Sequence, residues 1–415
     1  MKSIIERLSD KDSWNDFLRY KQEAGHLSGQ DEEDLVRFVR EEAYIPVVRR
    51  ILSSGFSVPR KRLISKLNNG KKRTVYIFPP EENYILKLMT FLLIRRYDSV
   101  FADNLYSFRA RQGVRRAVTF LKGTRGLASK YVYKTDISDY FNSVDIGRLL
   151  PLLREVLADD DRTCSLIADL LLDTRVLRPD GSEAREQKGI MAGVPLSSFL
   201  ANVYLSGMDW HFQRSPVLYA RYSDDIILFA PSAEARSEAV GYIRTYLREA
   251  QLKINGEKEV RTEPGGRWTF LGISYENGVF DVSEVSVKKL KMKMRRKSRA
   301  LLRWKARKNI DNLKAAKAFV KFFNRKLYDN ENHSELTWTR WFFPLINTAA
   351  SLRQIDRYMQ ECLRYIATGK HNRSRYRFTY DEMKRLGYRS LVHEYYAIIK
   401  DKTSEAVGCP TTAII

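Results

Sequence analysis

Cysteine is nearly missing from this 415-residue chain: Cys164, Cys362 and Cys409 stand far apart, with no CxxC between them. That excludes a disulfide framework, argues against a zinc ribbon or knuckle, and fits a reducing compartment. The five histidines (His26, His211, His333, His371, His393) show no ligand spacing and no cysteine partners, so they read as structural or surface residues. No glycine-rich loop of the Walker type occurs, which leaves ATPase or kinase chemistry without support. Long apolar runs are also lacking. The greasiest, Ile85 to Ile94, is too short for a bilayer and is interrupted by Lys87. The opening MKSIIERLSDKDSW places acids and lysine among the first residues, so no signal peptide is expected. There is no internal repeat and no low-complexity stretch. The expectation is a soluble, cytoplasmic protein without a membrane partner.

What is abundant is positive charge. Lys and Arg number 73 against 50 Asp and Glu, a formal net charge of +23, with a hydrophobic fraction of 44%. Such a chain can bury a large core and attracts polyanions, of which nucleic acid is the commonest. Its length predicts two or three structural units. Residues 1–55 look helical. Asn68-Asn69-Gly70 reads as a turn, and KKRTVYIF after it alternates as a strand. Ile85, Leu88, Met89, Leu92 and Leu93 form one helical stripe. KYVYKT (130–135) alternates as a second strand, 146–157 and 164–174 read as helices, and Arg178-Pro179-Asp180-Gly181 as a turn. Pro195 and Ser197 mark a helix start with a stripe of Leu200, Val203, Tyr204 and Met208. Residues 217–230 read strand–turn–strand, and 268–282 a second hairpin with Asn277-Gly278 at its tip. Helices mixed with antiparallel hairpins predict an α+β fold.

After Val287 the character changes. Residues 288–308 hold twelve basic residues and no acid, among them Lys288, Lys289, Lys291, Arg295, Arg296, Arg299 and Arg303. Leu290, Met294, Leu301 and Trp304 punctuate the run, which predicts a helix docked along one face. Twelve unrelieved cations favour a polyanion alongside over a merely solvated face. Aromatics interleaved with cations continue over 319–377 (Phe322, Phe323, Trp338, Trp341, Arg373, Arg375, Arg377), a pattern that suits base stacking and ordinary cores alike.

The chemistry concentrates in Tyr222-Ser223-Asp224-Asp225, between the apolar runs VLYAR and IILFA. An Asp-rich turn is a common structural feature. Here the flanks are apolar enough to be buried, which places two mutually repelling acids at the rim of a core, where a divalent cation would relieve them. Asp136, at the end of the strand in KTDISDYFNSVD, can meet them across neighbouring strands. Carboxylates so placed can hold a pair of Mg²⁺ ions for phosphoryl transfer. Asp139 and Asp145 are expected to be cap or surface residues.

Five blocks, DNLYSFRARQG, KTDISDYFNSVD, GIMAGVPLSSFLANVYLSGMD, YSDD and RWTFLGISY, occur in an order that resembles the reverse transcriptases over roughly residues 60 to 285. The resemblance implies a right hand of fingers, palm and thumb, and template-directed addition of dNTPs to a primer end. It divides the chain into an N-terminal helical extension (1–59), fingers (60–130 and 146–190), palm (131–145 and 191–285), a basic helical thumb (286–372) and a C-terminal RNA-contacting segment (373–415). It makes Asp136, Asp224 and Asp225 the catalytic, metal-binding triad, with the main chain of Ile137 as a further ligand and two Mg²⁺ ions, replaceable by Mn²⁺, as cofactors. Phe141 falls at the steric gate against the 2′-hydroxyl, although a core aromatic would fit the same pattern. Gly193 and the turn before Ser197 fall at the floor under the incoming base, Lys72 and Arg73 at the triphosphate, Lys258 near the leaving pyrophosphate, and Phe270, Leu271 and Gly272 at the primer grip. The chain departs from many relatives where Met191-Ala192 replaces Pro-Gln, which removes a glutamine that touches the nucleotide.

Within the family, the tail carries neither a ribonuclease H pattern nor a Cys- and His-rich endonuclease, and the Asn-Ala-x-x-His and Val-Thr-Gly segments of retron enzymes are missing. The chain is most similar to the abortive-infection and defence-associated bacterial enzymes of the short class-2 kind. That implies a structured non-coding RNA template, a cDNA product and a monomeric protein in a ribonucleoprotein. A maturase-like RNA-binding protein, a group II intron or retron-type enzyme, and an RNA-dependent RNA polymerase are the alternatives; bulky Phe141 and YSDD in place of Gly-Asp-Asp disfavour the last.

Overall fold

The computed structural model describes residues 2–23, 29–65, 72–110, 112–328, 337–369 and 376–407. The turn expected at Asn68-Asn69-Gly70, Cys409, His26, His333, His371, Arg373 and Arg375 lie outside the described residues. The chain forms two compact units, Met1–Pro264 and Gly265–Ile415. Helices and largely antiparallel sheets give the expected α+β class.

In the first unit, helices Ile4–Leu8, Lys11–Glu23, Gly29–Arg40 and Tyr44–Ser54 precede β1 (Arg60–Ser65) and β2 (Lys72–Ile77). Ser3 and Glu6 close a capping box on the first helix, and Asp160 accepts the Ile4 N–H at 2.7 Å. Trp14 stacks on Tyr44 with centroids 5.0 Å apart, and Phe17 meets Phe91 at 5.4 Å. These helices cover helix Pro80–Arg96, where Leu86, Thr90 and Phe91 are buried as well as the predicted stripe. The helix is therefore enclosed nearly all round, a correction to the single face that its spacing indicates.

Then come β3 (Tyr131–Asp136), helices Tyr140–Ser143, Ile146–Val156 and Asp161–Leu172, β4 (Arg175–Leu177), β5 (Glu183–Arg185), helices Ser197–Tyr204 and Ser206–Gln213, β6 (Leu218–Tyr222), β7 (Asp225–Ala230), helix Ala233–Glu249 and β8 (Val260–Thr262). One sheet runs β2-β1-β4-β5 and another β6-β7-β3-β8. The predicted helix 197–208 ends at Tyr204, and Met208 belongs to the next helix. Ser197 makes no cap; its hydroxyl donates to the carbonyls of Ile190 and Met191 and ties the preceding loop to the helix. Asp145 caps helix Ile146–Val156 as expected, by accepting from the Arg148 N–H at 2.7 Å.

In the second unit, β9 (Trp268–Phe270), β10 (Ile273–Glu276) and β11 (Val279–Val282) form a meander. The predicted hairpin gains a third strand because Leu271 (φ 49°) and Gly272 (φ 87°) make a tight turn of their own. Asn277 (φ 45°) and Gly278 (φ 83°) sit at the other tip with the two positive angles of a type I′ turn. Helix Glu284–Lys308 buries the predicted Leu290, Met294 and Leu301 along one face together with Val287 and Ser298, whereas Trp304, at the end of the predicted stripe, is only half-buried. It packs with helices Asn312–Leu327 and Ala350–Thr368, where Phe323 is core and Phe322 is exposed. Among the described residues no helix is long and apolar enough to cross a membrane.

Candidate active site

The site grows from the central strands of the first unit. β3 pairs with β7 so that Asp136 lies directly opposite Asp225, while Tyr222 pairs Asp225 across the hairpin and leaves Ser223-Asp224 as its two-residue loop. Ser223 has φ 60° and Asp224 has no positive φ, the sign pattern of a type II′ turn, at a position glycine usually takes. The Ile137 N–H donates to the Asp224 carbonyl at 3.2 Å and pins the turn against the end of β3. Like charges directly opposite on a sheet repel. Burial, then the neighbouring Asp136 and Asp225, push Asp224 up to about 6. Burial raises Asp225 too, with Lys134 opposing and Asp136 adding to the rise.

Two lysines answer this charge. Lys258 Nζ lies 2.6 Å from Asp136 Oδ2, and Lys134 Nζ 3.5 Å from Asp225 Oδ1. Burial alone would lower Lys258, but the Asp136 hydrogen bond and charge outweigh it and keep the ammonium protonated. Lys134 escaped the sequence reading, although its spacing of two from Asp136 puts both on one face of β3.

Beneath the turn lies a buried ion pair. Arg221 and Asp209 are both fully buried, with Nη2–Oδ2 at 2.5 Å and Nε–Oδ1 at 2.8 Å. Arg221 Nη1 donates to the Ser223 carbonyl at 3.2 Å, and the Tyr219 hydroxyl donates to Asp209 at 3.1 Å. The DNLYSFR block runs beside β6: Arg221 N–H donates to the Asn104 carbonyl and Tyr106 N–H to the Arg221 carbonyl. Asp209 and Arg221 were missed as well. Their signal is a lone acid ending GMD and a lone arginine inside VLYAR, each in an otherwise apolar run.

Beside the acids, a cavity of about 700 Å³ gathers Arg73, Phe141 and Gly193 from the predicted set. Lys21, Lys87, Arg95 and Arg109 join Arg73 in its wall, five cations with no acid among the lining residues. Burial pushes Lys21 and Lys87 below the usual lysine range. Lys72 is exposed on β2 and does not line it. Phe108 links cavity and acids, its ring centroid 6.4 Å from Phe141 and 6.3 Å from Tyr222. Phe141 is half-buried, neither a free gate nor a fully enclosed core ring.

The loop 189–194 reaches the cavity through Gly193 and Val194. Ile190 N–H donates to the Phe141 carbonyl, Tyr76 N–H to the Ala192 carbonyl, and Ala192 N–H to Asn142 Oδ1. Gly193 has φ 98°, and a Cβ there would meet Val75 Cβ at 3.1 Å and the Tyr76 carbonyl at 3.2 Å. Only glycine lets β2 approach this closely.

Phe270, Leu271 and Gly272 and the cations of helix Glu284–Lys308 belong to the second unit. Phe270 is buried, and a Cβ at Gly272 would come 3.1 Å from Ser286 Oγ. Lys288, Lys289, Arg295, Arg296, Arg299 and Arg303 are exposed and Lys291 is half-buried.

Among the described residues no group of three or more His, Cys, Asp or Glu side chains closes into a ready-made metal cage. Asp224 and Asp225, raised by burial and by neighbouring carboxylates, stand beside the lysine-paired Asp136; this set instead suits a hard cation bound through one or two carboxylates plus substrate phosphates.

Residues 64–275 match the family profile described as reverse transcriptase (RNA-dependent DNA polymerase). Protein YkfC of Escherichia coli (strain K12) is 25% identical over 271 residues, covering 55% of this chain and 70% of its own. Among solved structures, apo telomerase from Candida tropicalis aligns at 15% identity and TM-score 0.49, over 87% of this chain and 68% of that one. Telomerase from Candida albicans with the TWJ fragment of telomeric RNA aligns at 12% identity and TM-score 0.44, over 85% and 71%. Because the profile spans just over half of the chain and contains the paired acids, the chain belongs to the reverse transcriptase (RNA-dependent DNA polymerase) family.

Proposed function

We propose that this RNA-directed DNA polymerase copies a structured non-coding RNA into cDNA in the bacterial cytoplasm, in defence against phage, as a monomer within a ribonucleoprotein. The observation that carries the catalytic part is Asp136 facing Asp225 across β3 and β7, with Asp224 beside them. Asp136, Asp224, Asp225 and the main-chain carbonyl of Ile137 would hold two divalent cations, Mg²⁺ or Mn²⁺. When bound, these lower the pKa of the primer hydroxyl and neutralise charge on the triphosphate.

The remaining roles fall to the chain. Arg73, on the wall of the cationic cavity, holds the triphosphate, with Lys72 on the same strand. Gly193 keeps the floor flat under the incoming base. The Phe141 ring closes the space a 2′-hydroxyl would need and so selects dNTPs. Lys258, held protonated beside Asp136, stands ready for the charge of departing pyrophosphate. In this reading the first unit supplies the fingers and the palm as far as Pro264, palm residues 265–285 carry the Phe270-Leu271-Gly272 primer grip, helix Glu284–Lys308 is the thumb's phosphate-binding face, and 373–415 contacts RNA.

A net charge of +23 supports an RNA partner. The defence role rests on the resemblance to defence-associated enzymes drawn above, an analogy within the family. The test is to express the chain with its native flanking DNA and sequence the co-purifying RNA and DNA, beside the Asp224→Ala/Asp225→Ala protein. One abundant RNA in both samples, with complementary DNA only in the intact one, is expected. RNA in both with DNA in neither, even during phage challenge, would favour a maturase-like binding protein.

A further inference from the structure

We propose that a cleft within the second unit captures an unpaired guanine of single-stranded RNA. The inference rests on the RNA-partner reading above and adds to it a base-specific site away from the paired acids.

The cleft, about 330 Å³, lies between helices Glu284–Lys308 and Ala350–Thr368. The first helix contributes Arg295 and Arg299, and the second Tyr358, Tyr365 and Glu361, over a floor that includes the buried Ser298 and Cys362. Burial raises the Tyr358 hydroxyl, and the charges of Arg295, Glu361 and Arg299 also act on it, so these groups share one small volume. Lys291 Nζ lies 5.7 Å from the Tyr358 ring centroid.

A surface that only tracks phosphates has no use for a carboxylate, which would repel them. Two tyrosines, two guanidinium groups and one carboxylate around a concavity suit a base instead. Aromatic and guanidinium planes stack on an unpaired base, and polar groups read its edge. Arginine is suited to O6 and N7 of guanine. The carboxylate then decides among bases. Guanine alone presents two adjacent donors, N1–H and the N2 amino group, on its Watson–Crick edge. Adenine and cytosine place a ring-nitrogen acceptor beside their amino group, and uracil flanks its single N–H with two carbonyls. Each of those would set an acceptor against Glu361.

The test uses the full chain and fluorescence anisotropy at fixed salt with four labelled 12-mers: oligo-A RNA, the same RNA with one central guanosine, and the DNA counterparts of both. The guanosine RNA should bind about tenfold tighter than oligo-A RNA. Glu361→Gln should cut that preference below about threefold, Tyr358→Ala should abolish it, and Tyr358→Phe, which keeps the ring, should retain it. Thermal melting of each variant separates lost recognition from lost folding, and Glu361→Gln, at an exposed position, carries the test if Tyr358→Ala fails to fold. Equal binding of the two RNAs overturns this inference and leaves the RNA partner standing. A preference confined to the DNA pair overturns the assignment to RNA. Failure of both RNAs to bind overturns both readings.

Discussion

Removing the carboxylate of Asp209 should be among the most damaging single changes in the first unit. Asp209 and Arg221 are both fully buried, with two direct contacts between them and a third from Tyr219. Asp209→Ala strands a guanidinium in the core and leaves a buried hydroxyl without its acceptor. Breaking one side of a buried pair costs about 3–5 kcal/mol. At about 2–4 °C per kcal/mol for a unit of this size, the melting temperature should fall by about 10 °C. Asp209→Leu combined with Arg221→Met removes both charges and should recover most of that loss. The double variant should nevertheless turn over slowly, because the Ser223 carbonyl loses its guanidinium donor and the Ser223-Asp224 turn its anchor. Thermal melts and single-nucleotide addition rates for the parent, Asp209→Ala and the double variant measure both parts. A loss below about 1 kcal/mol for Asp209→Ala, or full activity in the double variant, would refute the reasoning.

Three further outcomes are expected. Asp224 is raised to about 6 when folded against an ordinary value of 3.8, so the folded state holds the extra proton between those values. Without metal, its contribution disfavours folding increasingly as pH rises from about 4 to 6, so Asp224→Asn should gain stability over the parent across that window, by at most about 3 kcal/mol. Melting curves with EDTA read the gap, and one that shrinks with rising pH has the wrong sign. Phe141→Ala should reduce discrimination against NTPs by about 10- to 200-fold, read as the ratio of dNTP to NTP incorporation efficiency; an unchanged ratio removes Phe141 as the gate. Gly193→Ala should cost about 1–3 kcal/mol, because alanine is strained at φ 98° and its Cβ presses on β2. An unaltered melting temperature would show that the loop and strand part easily.

The acids were legible because period-two strands and apolar flanks already imply which side chains reach a rim: KYVYKT and the 217–230 hairpin fold as read, and their register sets Asp136 opposite Asp225. The basic helix was legible too, since Leu290, Met294 and Leu301 of its spaced apolar residues are buried, with Trp304 half-buried. Long-range partners were not. Lys258 on Asp136 and Arg221 on Asp209 depend on which strand lies next to which, information absent from local pattern. Helix Pro80–Arg96 shows one stripe in sequence because its other faces are covered by the N-terminal helices, whose position no periodicity reveals. The extra turn at Leu271-Gly272 was hidden by a leucine in a conformation that usually calls for glycine.

The most direct test of the central claim is primer extension on an RNA template with dNTPs and Mg²⁺, comparing the parent chain with Asp224→Asn/Asp225→Asn. The account predicts full-length cDNA from the parent, none with EDTA, and a loss of at least several hundredfold in the variant, with the template still bound. Extension by the variant at the parent's rate would contradict it, because the paired acids of β3 and β7 could not then be where the chemistry takes place.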